Sequence, residues 1–301
     1  MQNLESLLIF VTVADRGSFT DAAETLRIQK GRASTAVRKL EEDLGARLLH
    51  RTTRKVQLTE DGRAFLARAR ELLSDAEDLS SMFADDKAAL RGRLRVDMPA
   101  ELARKTIVPA LPDFLEKNPE LELEVSSTDR QVDLVQEGID CVVRLGPIRD
   151  ETLIARQIGK FRIVNAASPK YLQRHGVPQS IEDLKRHGHR TIHFAPTSNA
   201  RPFGWEYPDG DGYSSLELPG ALSVSSAQTY EAAALAGLGL VQAPLIGIGP
   251  YLDSGALVEV LPKHRRRSLP VSLVVAHRRN LSRRVRAFMQ WIEGVLAPHL
   301  E

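Results

Sequence analysis

The sequence lacks several features that mark other classes of protein. It has one cysteine, Cys141, so no disulfide can form within the chain, which favours a reducing compartment. No apolar run reaches the roughly 18 to 20 residues that cross a bilayer, and no secretory signal is recognisable. The eight histidines show no spacing typical of metal ligands. We therefore expect a cytoplasmic protein with no membrane partner, no cofactor and no bound metal.

Motifs that support catalysis are also missing. The segment Gly237 to Leu240 is rich in glycine but lacks a phosphate-binding or dinucleotide-binding fingerprint, so it is interpreted as a tight turn. Cys141 lies in an apolar run and is interpreted as a core residue, with a redox sensor as the alternative. The basic run Arg265 to Arg267 is interpreted as solvated, or as a contact with a neighbouring subunit. We predict that the protein is not an enzyme.

What the sequence does have is length, apolar content and a local excess of positive charge. Its 301 residues, 43% of them hydrophobic, suffice for two or three folding units. The formal net charge is only +2, yet residues 27–55 hold nine Lys and Arg against three acidic residues. A local basic patch of this kind favours a polyanionic partner.

The first 58 residues predict three helices and a β-hairpin. In the first helix, the apolar spacing predicts a single buried face formed by Leu4, Leu7, Leu8, Val11 and Ala14. Gly17 ends this helix, and Ser18 caps a second one. A third helix is predicted from Lys30 to Leu44, with its inner stripe at Ala33, Val37, Leu40 and Leu44. Two short helices joined by a tight turn, followed by a hairpin, are typical of a winged helix-turn-helix.

The outer face of the third helix is polar and basic, which suits the major groove of double-stranded DNA. Gly31 permits close approach of the backbone, and an arginine at the hairpin tip suits the minor groove. Thr20, in the second helix, is expected to contact a DNA phosphate. The predicted DNA-binding residues are Thr20, Lys30, Gly31, Arg32, Ser34, Thr35, Arg38, Arg51, Thr52 and Arg54.

A long helix is predicted from Glu60, capped by Thr59, to about Leu90. Its apolar residues follow heptad spacing at Phe65, Ala69, Leu72, Ala76, Leu79 and Phe83. We expect this stripe to form a homodimer; packing on the C-terminal domain of the same chain is the alternative. Arg91 and Gly92 are predicted to break the helix and mark a domain boundary.

Beyond residue 90, strands alternate with helices, which predicts two Rossmann-like α/β subdomains and a largely parallel sheet. A strand from Val271 to Ala276 and a helix from Ser282 to Leu296 are expected to complete the first subdomain. The predicted domains are residues 1–58 (DNA-binding), 59–90 (linker and dimerisation helix) and 91–301 (effector-binding), the last divided into subdomain I, about 91–165 plus 268–301, and subdomain II, about 166–267.

Three polar segments of the C-terminal domain are predicted to follow strands and open helices. Because helix N-termini attract anions, we expect them to bind a small anionic effector in a cleft between the subdomains. Ordinary helix capping is the alternative. The predicted effector-binding residues are Pro99, Ala100, Ser127, Thr128, Ser225 and Ser226, with His193 and Pro196 on the opposite wall. Arg144 is interpreted as a rim salt bridge, or as an anion partner.

Two stretches carry a resemblance to a known family. They are Phe10, Val11, Val13, Ala14, Gly17, Ser18, Phe19, Thr20, Ala22, Ala23 and Leu26, and then Leu40, Glu41, Leu44, Gly45, Leu48, Leu49, Arg51, Thr52, Leu58, Thr59 and Gly62. This pattern resembles the LysR-type transcription regulators. The resemblance implies a winged helix-turn-helix, a dimerising linker helix and an effector domain similar to type 2 periplasmic binding proteins.

The resemblance also implies homodimers or homotetramers on DNA, with RNA polymerase as a further partner. This chain departs from the family at the start of the third helix, where Lys30 replaces the family's base-reading glutamine and Thr35 replaces its frequent arginine. Base specificity therefore does not transfer from relatives.

The sequence thus predicts a sequence-specific, DNA-binding transcription regulator whose DNA binding or bending a small molecule modulates. One alternative is a solute-binding protein or small enzyme on the same α/β scaffold. Another is an architectural DNA binder without an effector. The N-terminal basic module favours the regulator over the first alternative.

Overall fold

The computed structural model describes residues 4–51, 56–81, 90–130, 132–148, 153–195, 204–220, 222–275 and 281–301. Contacts divide the chain into two units. The first consists mainly of residues before 89 and includes the short segment 133–138, whereas the second consists mainly of residues after 89. Of the described helices, none is both long enough and apolar enough to span a membrane.

The first unit contains the predicted helices and hairpin. In chain order its N-terminal elements are α1 (Leu4–Arg16), α2 (Phe19–Thr25), α3 (Lys30–Leu44), β1 (Leu49–Arg51), β2 (Val56–Leu58) and α4 (Glu60–Ser81). The two strands pair antiparallel, with Leu49 opposite Leu58. The prediction of three helices followed by a hairpin is confirmed.

Caps fix the ends of these helices. Gly17, with φ of +60°, follows α1, and Gly45, with φ of +64°, ends α3, a conformation that glycine adopts without strain. The Ser18 hydroxyl accepts the Asp21 N–H at 3.3 Å and begins α2. The Thr59 hydroxyl accepts the Gly62 N–H at 2.8 Å at the start of α4.

The core of the first unit confirms the predicted stripe of α3 and corrects that of α1. Ala33, Val37 and Leu40 are buried, and Leu44 packs against them. On α1, however, Leu4 and Leu8 are 45% and 43% exposed, whereas Phe10 and Val13 are buried. The reason is aromatic packing: the Phe10 ring meets the Phe65 ring edge-on at 5.5 Å, which turns that face of α1 inward.

The heptad stripe of α4 divides into two parts. The partly buried Phe65 packs against the core of the first unit, in which Leu66 and Ala69 are buried. Leu72, one turn further on, is 49% exposed. The side chain of Leu79 and the residue Phe83 lie outside the described part of the chain.

The second unit starts with a five-stranded sheet and its helices. Its elements through the middle of the chain are β3 (Arg91–Met98), α5 (Ala100–Leu102), a π-helical turn (Ala103–Ile107), α6 (Val108–Glu116), β4 (Glu120–Ser127), β5 (Cys141–Leu145) and β6 (Ile154–Phe161); the short α7 (Leu134–Glu137) belongs to the first unit. The remaining elements are β7 (Ile163–Ala167), α8 (Pro169–His175), α9 (Ile181–Arg186), β8 (His193–Phe194), β9 (Trp205–Asp209), β10 (Gly212–Leu216), β11 (Ser223–Val224), α10 (Ala227–Leu235), β12 (Val241–Pro244), α11 (Leu245–Asp253), β13 (Val258–Glu259), β14 (Leu269–Val275), α12 (Arg283–Leu296) and a 3-10 turn (Ala297–His299).

The sequence predicts a largely parallel sheet for the second unit, but its sheets are mixed. In the order β4-β3-β5-β14-β6, the first three strands are parallel, but β14 runs antiparallel to both β5 and β6. The strand β14 comes back from the far end of the chain, as expected. Arg91 and Gly92, which were predicted to mark a domain boundary, are the first two residues of β3, and the second unit begins at residue 89.

A second set of strands builds the other half of this unit. β7 lies between β12 and β13, antiparallel to both, and β8 pairs with β11 in parallel. The turn Gly237 to Leu240 connects α10 to β12, with φ of +82° at Gly237. A Cβ at Gly239 would lie 2.9 Å from the Arg190 carbonyl oxygen, so the predicted tight turn is confirmed.

Candidate DNA interface and effector site

The outer face of α3 presents cations to solvent. Lys30, Arg32, Thr35 and Arg38 are exposed, and Ser34 is half-buried. The opposite stripe of α3 is buried, which keeps this polar face outside. A Cβ built on Gly31 meets nothing within 4 Å, so neither packing nor a special backbone angle requires glycine there. The predicted surface therefore exists, and its first turn has no side-chain bulk at position 31.

One contact at this surface has no signal in the sequence. Arg32 donates from its guanidinium to the Glu5 carboxylate of α1 at 2.5 Å, and both side chains remain about half exposed. The two residues are 27 positions apart, so only the packing of α1 against α3 brings them together. Glu5 is thereby part of the candidate interface.

The hairpin side of the interface is described in part. Thr20 is exposed on α2. Arg51 ends β1, but its side chain, together with residues Thr52 and Arg54, lies outside the described part of the chain. Near the end of α3, Glu41 accepts the N–H groups of Leu48 and Leu49 at 2.9 and 3.0 Å. It thereby ties the end of α3 to β1 and fixes the hairpin relative to α3.

The predicted effector loops lie at one end of the second unit's strands. Pro99 and Ala100 begin α5 directly after β3, and the Thr128 N–H donates to the Met98 carbonyl at 3.1 Å. Ser226 caps α10, its hydroxyl accepting the Thr229 N–H at 3.2 Å. One part of the prediction is wrong: Ser126 and Ser127 end β4, and no helix opens directly after them.

An unpredicted carboxylate joins two of these loops. Asp129, just after β4, accepts the Ala227 N–H at the start of α10 at 2.8 Å. The segment that holds Ser127 and Thr128 is therefore next to the segment that holds Ser225 and Ser226. His193 lies on β8 beside β11, and Pro196 lies outside the described residues. Within the described chain, the buried His193 Nδ1 has no hydrogen-bond partner.

A second link to α10 is a largely buried ionic cluster. Lys105, in the π-helical turn, donates to the carboxylates of Glu231 and Glu101, and to the Gly247 carbonyl at 2.8 Å. Hydrogen bonding from Arg104 lowers the pKa of Glu101 to about 2, whereas burial raises the pKa of Glu231. A cavity of about 270 Å³ lies beside this cluster.

Three other sequence interpretations meet different outcomes. The salt bridge predicted for Arg144 is present, but it is not on a rim, because its partner at 3.2 Å is the fully buried Asp97. Cys141 is buried, as predicted, and burial raises the pKa of its thiol to about 12. The run Arg265 to Arg267 is not simply solvated, because Arg265 pairs with Glu259 at 2.6 Å and the next two pair with Glu206. Among the described residues, no group of His, Cys, Asp and Glu is arranged to hold a metal.

The geometry defines a class: a winged helix-turn-helix with an exposed basic helix, followed by an α/β unit that contains several sheets. Two family models match the chain. The model for the bacterial regulatory helix-turn-helix protein of the lysR family covers residues 4–63, and the LysR substrate binding domain covers residues 87–297. The chain belongs to the LysR family of transcription regulators.

Individual relatives agree with this assignment. The chain is 41% identical, over 100% of both proteins, to the uncharacterized HTH-type transcriptional regulator YhjC of Escherichia coli K12. It is similar to the structure of CrgA from Neisseria meningitidis, at 29% identity and a TM-score of 0.61, covering 98% of this chain and 99% of that one. It is also similar to AphB, a virulence activator of Vibrio cholerae, at 27% identity and a TM-score of 0.56, covering 99% and 100%. The protein is a LysR-type DNA-binding transcription regulator with an effector-binding domain.

Proposed function

We propose that α3 lies in the major groove and that its exposed residues Lys30, Arg32, Thr35 and Arg38 contact bases and phosphates, with Ser34 at the edge of the contact. The observation that supports this proposal is that the basic face of α3 is exposed while its opposite face is buried. Gly31 lets the backbone approach the duplex. Thr20 holds a phosphate, and the hairpin residues Arg51, Thr52 and Arg54 reach the adjacent minor groove.

A salt titration tests this docking. Binding of the full chain to a labelled random-sequence duplex is measured by fluorescence anisotropy at several salt concentrations, for wild type, Arg38→Gln and Lys185→Gln. Each lost phosphate contact lowers the slope of log affinity against log salt by about 0.9. We expect Arg38→Gln to show this reduction. Lys185, exposed on α9 in the other unit, serves as the control, and its variant should match wild type.

Two results of this titration would contradict the docking. If Arg38→Gln binds with the affinity and salt slope of wild type, α3 does not face DNA. If Lys185→Gln weakens binding as much as Arg38→Gln, the contact surface lies in the second unit.

The effector is proposed to be a small anion held by Pro99, Ala100, Ser127, Thr128, Ser225 and Ser226, with His193 and Pro196 on the opposite wall. Support comes from the start of α10, directly after Ser225 and Ser226, because the N-terminus of a helix carries a partial positive charge that favours an anion. Effector binding changes the angle between the halves of the second unit and shifts the protein between states that hold DNA differently.

The remaining parts of the proposal concern assembly and location. The protein is a cytoplasmic homodimer or homotetramer that works with RNA polymerase and catalyses no reaction. The heptad stripe of α4, a helix of 22 residues on which Leu72 is exposed, supports self-association, because a long helix with an apolar stripe gains from a partner. The relatives are named as transcription regulators and not as enzymes.

A further inference from the structure

The start of α3 concentrates positive charge. Lys30 and Arg32 lie in its first turn, which contains no acidic residue, and the helix N-terminus adds a partial positive charge. Glu5, in the first turn of α1, supplies a carboxylate to Arg32 across the helix packing. The pair is exposed, so its contribution to stability is small. Arg32 lies in the first turn of α3, on the face proposed to meet DNA, so the pair is placed for a role in recognition instead.

We propose that Glu5 is a positioning residue that restrains Arg32 to base contacts and discourages contacts with phosphate. The inference rests on the proposed docking of α3. A guanidinium carries five N–H donors in a rigid fork. When one terminal nitrogen is held by Glu5, the remaining donors keep a fixed orientation, which favours the paired acceptors of a guanine edge.

Phosphate contacts depend on the charge that the protein presents to the duplex. A guanidinium whose charge is offset by a nearby carboxylate attracts a phosphate less strongly than an uncompensated one. Glu5 offsets the charge of Arg32 and repels nearby phosphates. The pair should therefore lower affinity for arbitrary DNA while it sharpens the choice of sequence.

Substitution of the carboxylate separates these effects. Affinities of the full-length variants Glu5→Gln, Arg32→Gln and the double variant are measured with a random-sequence duplex. We expect Glu5→Gln to bind about two- to fivefold more tightly than wild type, the range that corresponds to an exposed ion pair. In the Arg32→Gln background, the same substitution should have almost no effect. Glu24→Gln, which removes an exposed acid from α2, controls for net charge.

A selection experiment reads specificity directly. Binding sites are enriched from a random duplex library with wild type and with Glu5→Gln, and the enriched sequences are compared. We expect Glu5→Gln to enrich sites that are less restricted at one base position in each half-site. Equal melting temperatures of the two proteins would show that the fold is intact.

Different sets of results distinguish an incorrect role of Glu5 from an incorrect docking of α3. If Arg32→Gln weakens DNA binding but Glu5→Gln behaves like Glu24→Gln and enriches the same sites as wild type, the role of Glu5 is overturned and the docking stands. If Arg32→Gln leaves affinity and site choice unchanged while Arg38→Gln weakens binding, Arg32 makes no DNA contact, so the role of Glu5 fails and the docking stands. If neither variant changes binding, the docking fails, and the role of Glu5 fails with it.

Discussion

At the scale of single residues, two glycines of the first unit have opposite surroundings. A Cβ at Gly62 would collide with the Leu48 carbonyl group, whose backbone cannot move aside cheaply, whereas one at Gly31 meets open space. We expect Gly62→Ala to destabilise the first unit by about 1–3 kcal/mol through overpacking. Gly31→Ala should keep or raise stability by up to about 1 kcal/mol, because alanine favours helix.

DNA binding should respond differently to the same pair of variants. If the backbone at Gly31 approaches the duplex, the added methyl group in Gly31→Ala lowers affinity by about tenfold, equivalent to ~1.4 kcal/mol. Thermal unfolding and anisotropy titration of both variants check this. A Gly31→Ala protein that is stable and binds DNA like wild type would show that the backbone does not come close.

At the scale of elements, α8 contacts the segment after α9 through a buried histidine, His189. His189 is fully buried, its Nδ1 lies 3.2 Å from the Tyr171 hydroxyl, and its Nε2 has no hydrogen-bond partner in the described chain. Burial lowers the pKa of His189 below 6.5, and the nearby His175 and His187 lower it further, against the opposing effect of Asp183.

This lowered pKa gives stability a definite dependence on pH. The folded state keeps His189 neutral, while the unfolded chain takes up a proton below 6.5, so stability is intact above that value and falls as pH drops through the folded-state pKa. We expect the melting temperature of the second unit to fall between about pH 7.5 and about pH 5.5, on either side of the pKa of a free histidine. In His189→Asn, which cannot titrate, this fall should be smaller.

The matched control is His299→Asn, because His299 is exposed in the C-terminal 3-10 turn. Its variant should keep the pH dependence of wild type. An identical fall in the melting temperature of wild type and His189→Asn would contradict the assigned role of His189.

The elements also show what the sequence could and could not predict. Helix ends at Gly17, Gly45 and Thr59 follow from local chemistry, and the structure has them where the sequence places them. The predicted face of α1 was right at Leu7, Val11 and Ala14 but wrong at Leu4 and Leu8. It missed Phe10, which packs on Phe65, 55 positions away, and periodicity alone does not contain that contact. The direction of β14 was likewise missed, since alternation of residues does not distinguish parallel from antiparallel pairing.

The same limit applies to the candidate sites. Exposed cations on α3 were predictable, because a helical stripe divides its residues into inner and outer faces. Glu5 and Asp129 were not, since each acts on a residue far along the chain, Arg32 and Ala227. Side chains that join distant elements depend on tertiary packing, which a single sequence does not reveal.

At the scale of the whole molecule, each of the two units has its own core. Variants on α3 should therefore change DNA binding without unfolding the second unit. Variants near α10 should change the stability of the second unit without unfolding the first. The account depends on one contact above all, the outer face of α3 against the duplex.

Site-directed photo-cross-linking tests that contact most directly. Cys141 is buried and its thiol pKa is about 12, so a photoreactive thiol reagent should label only a cysteine introduced at the surface. Labelled Thr35→Cys and Lys185→Cys proteins are irradiated with a random-sequence duplex under binding conditions. The account predicts DNA adducts from position 35 and none from position 185. A complex that forms normally yet gives no adduct from position 35 would contradict it.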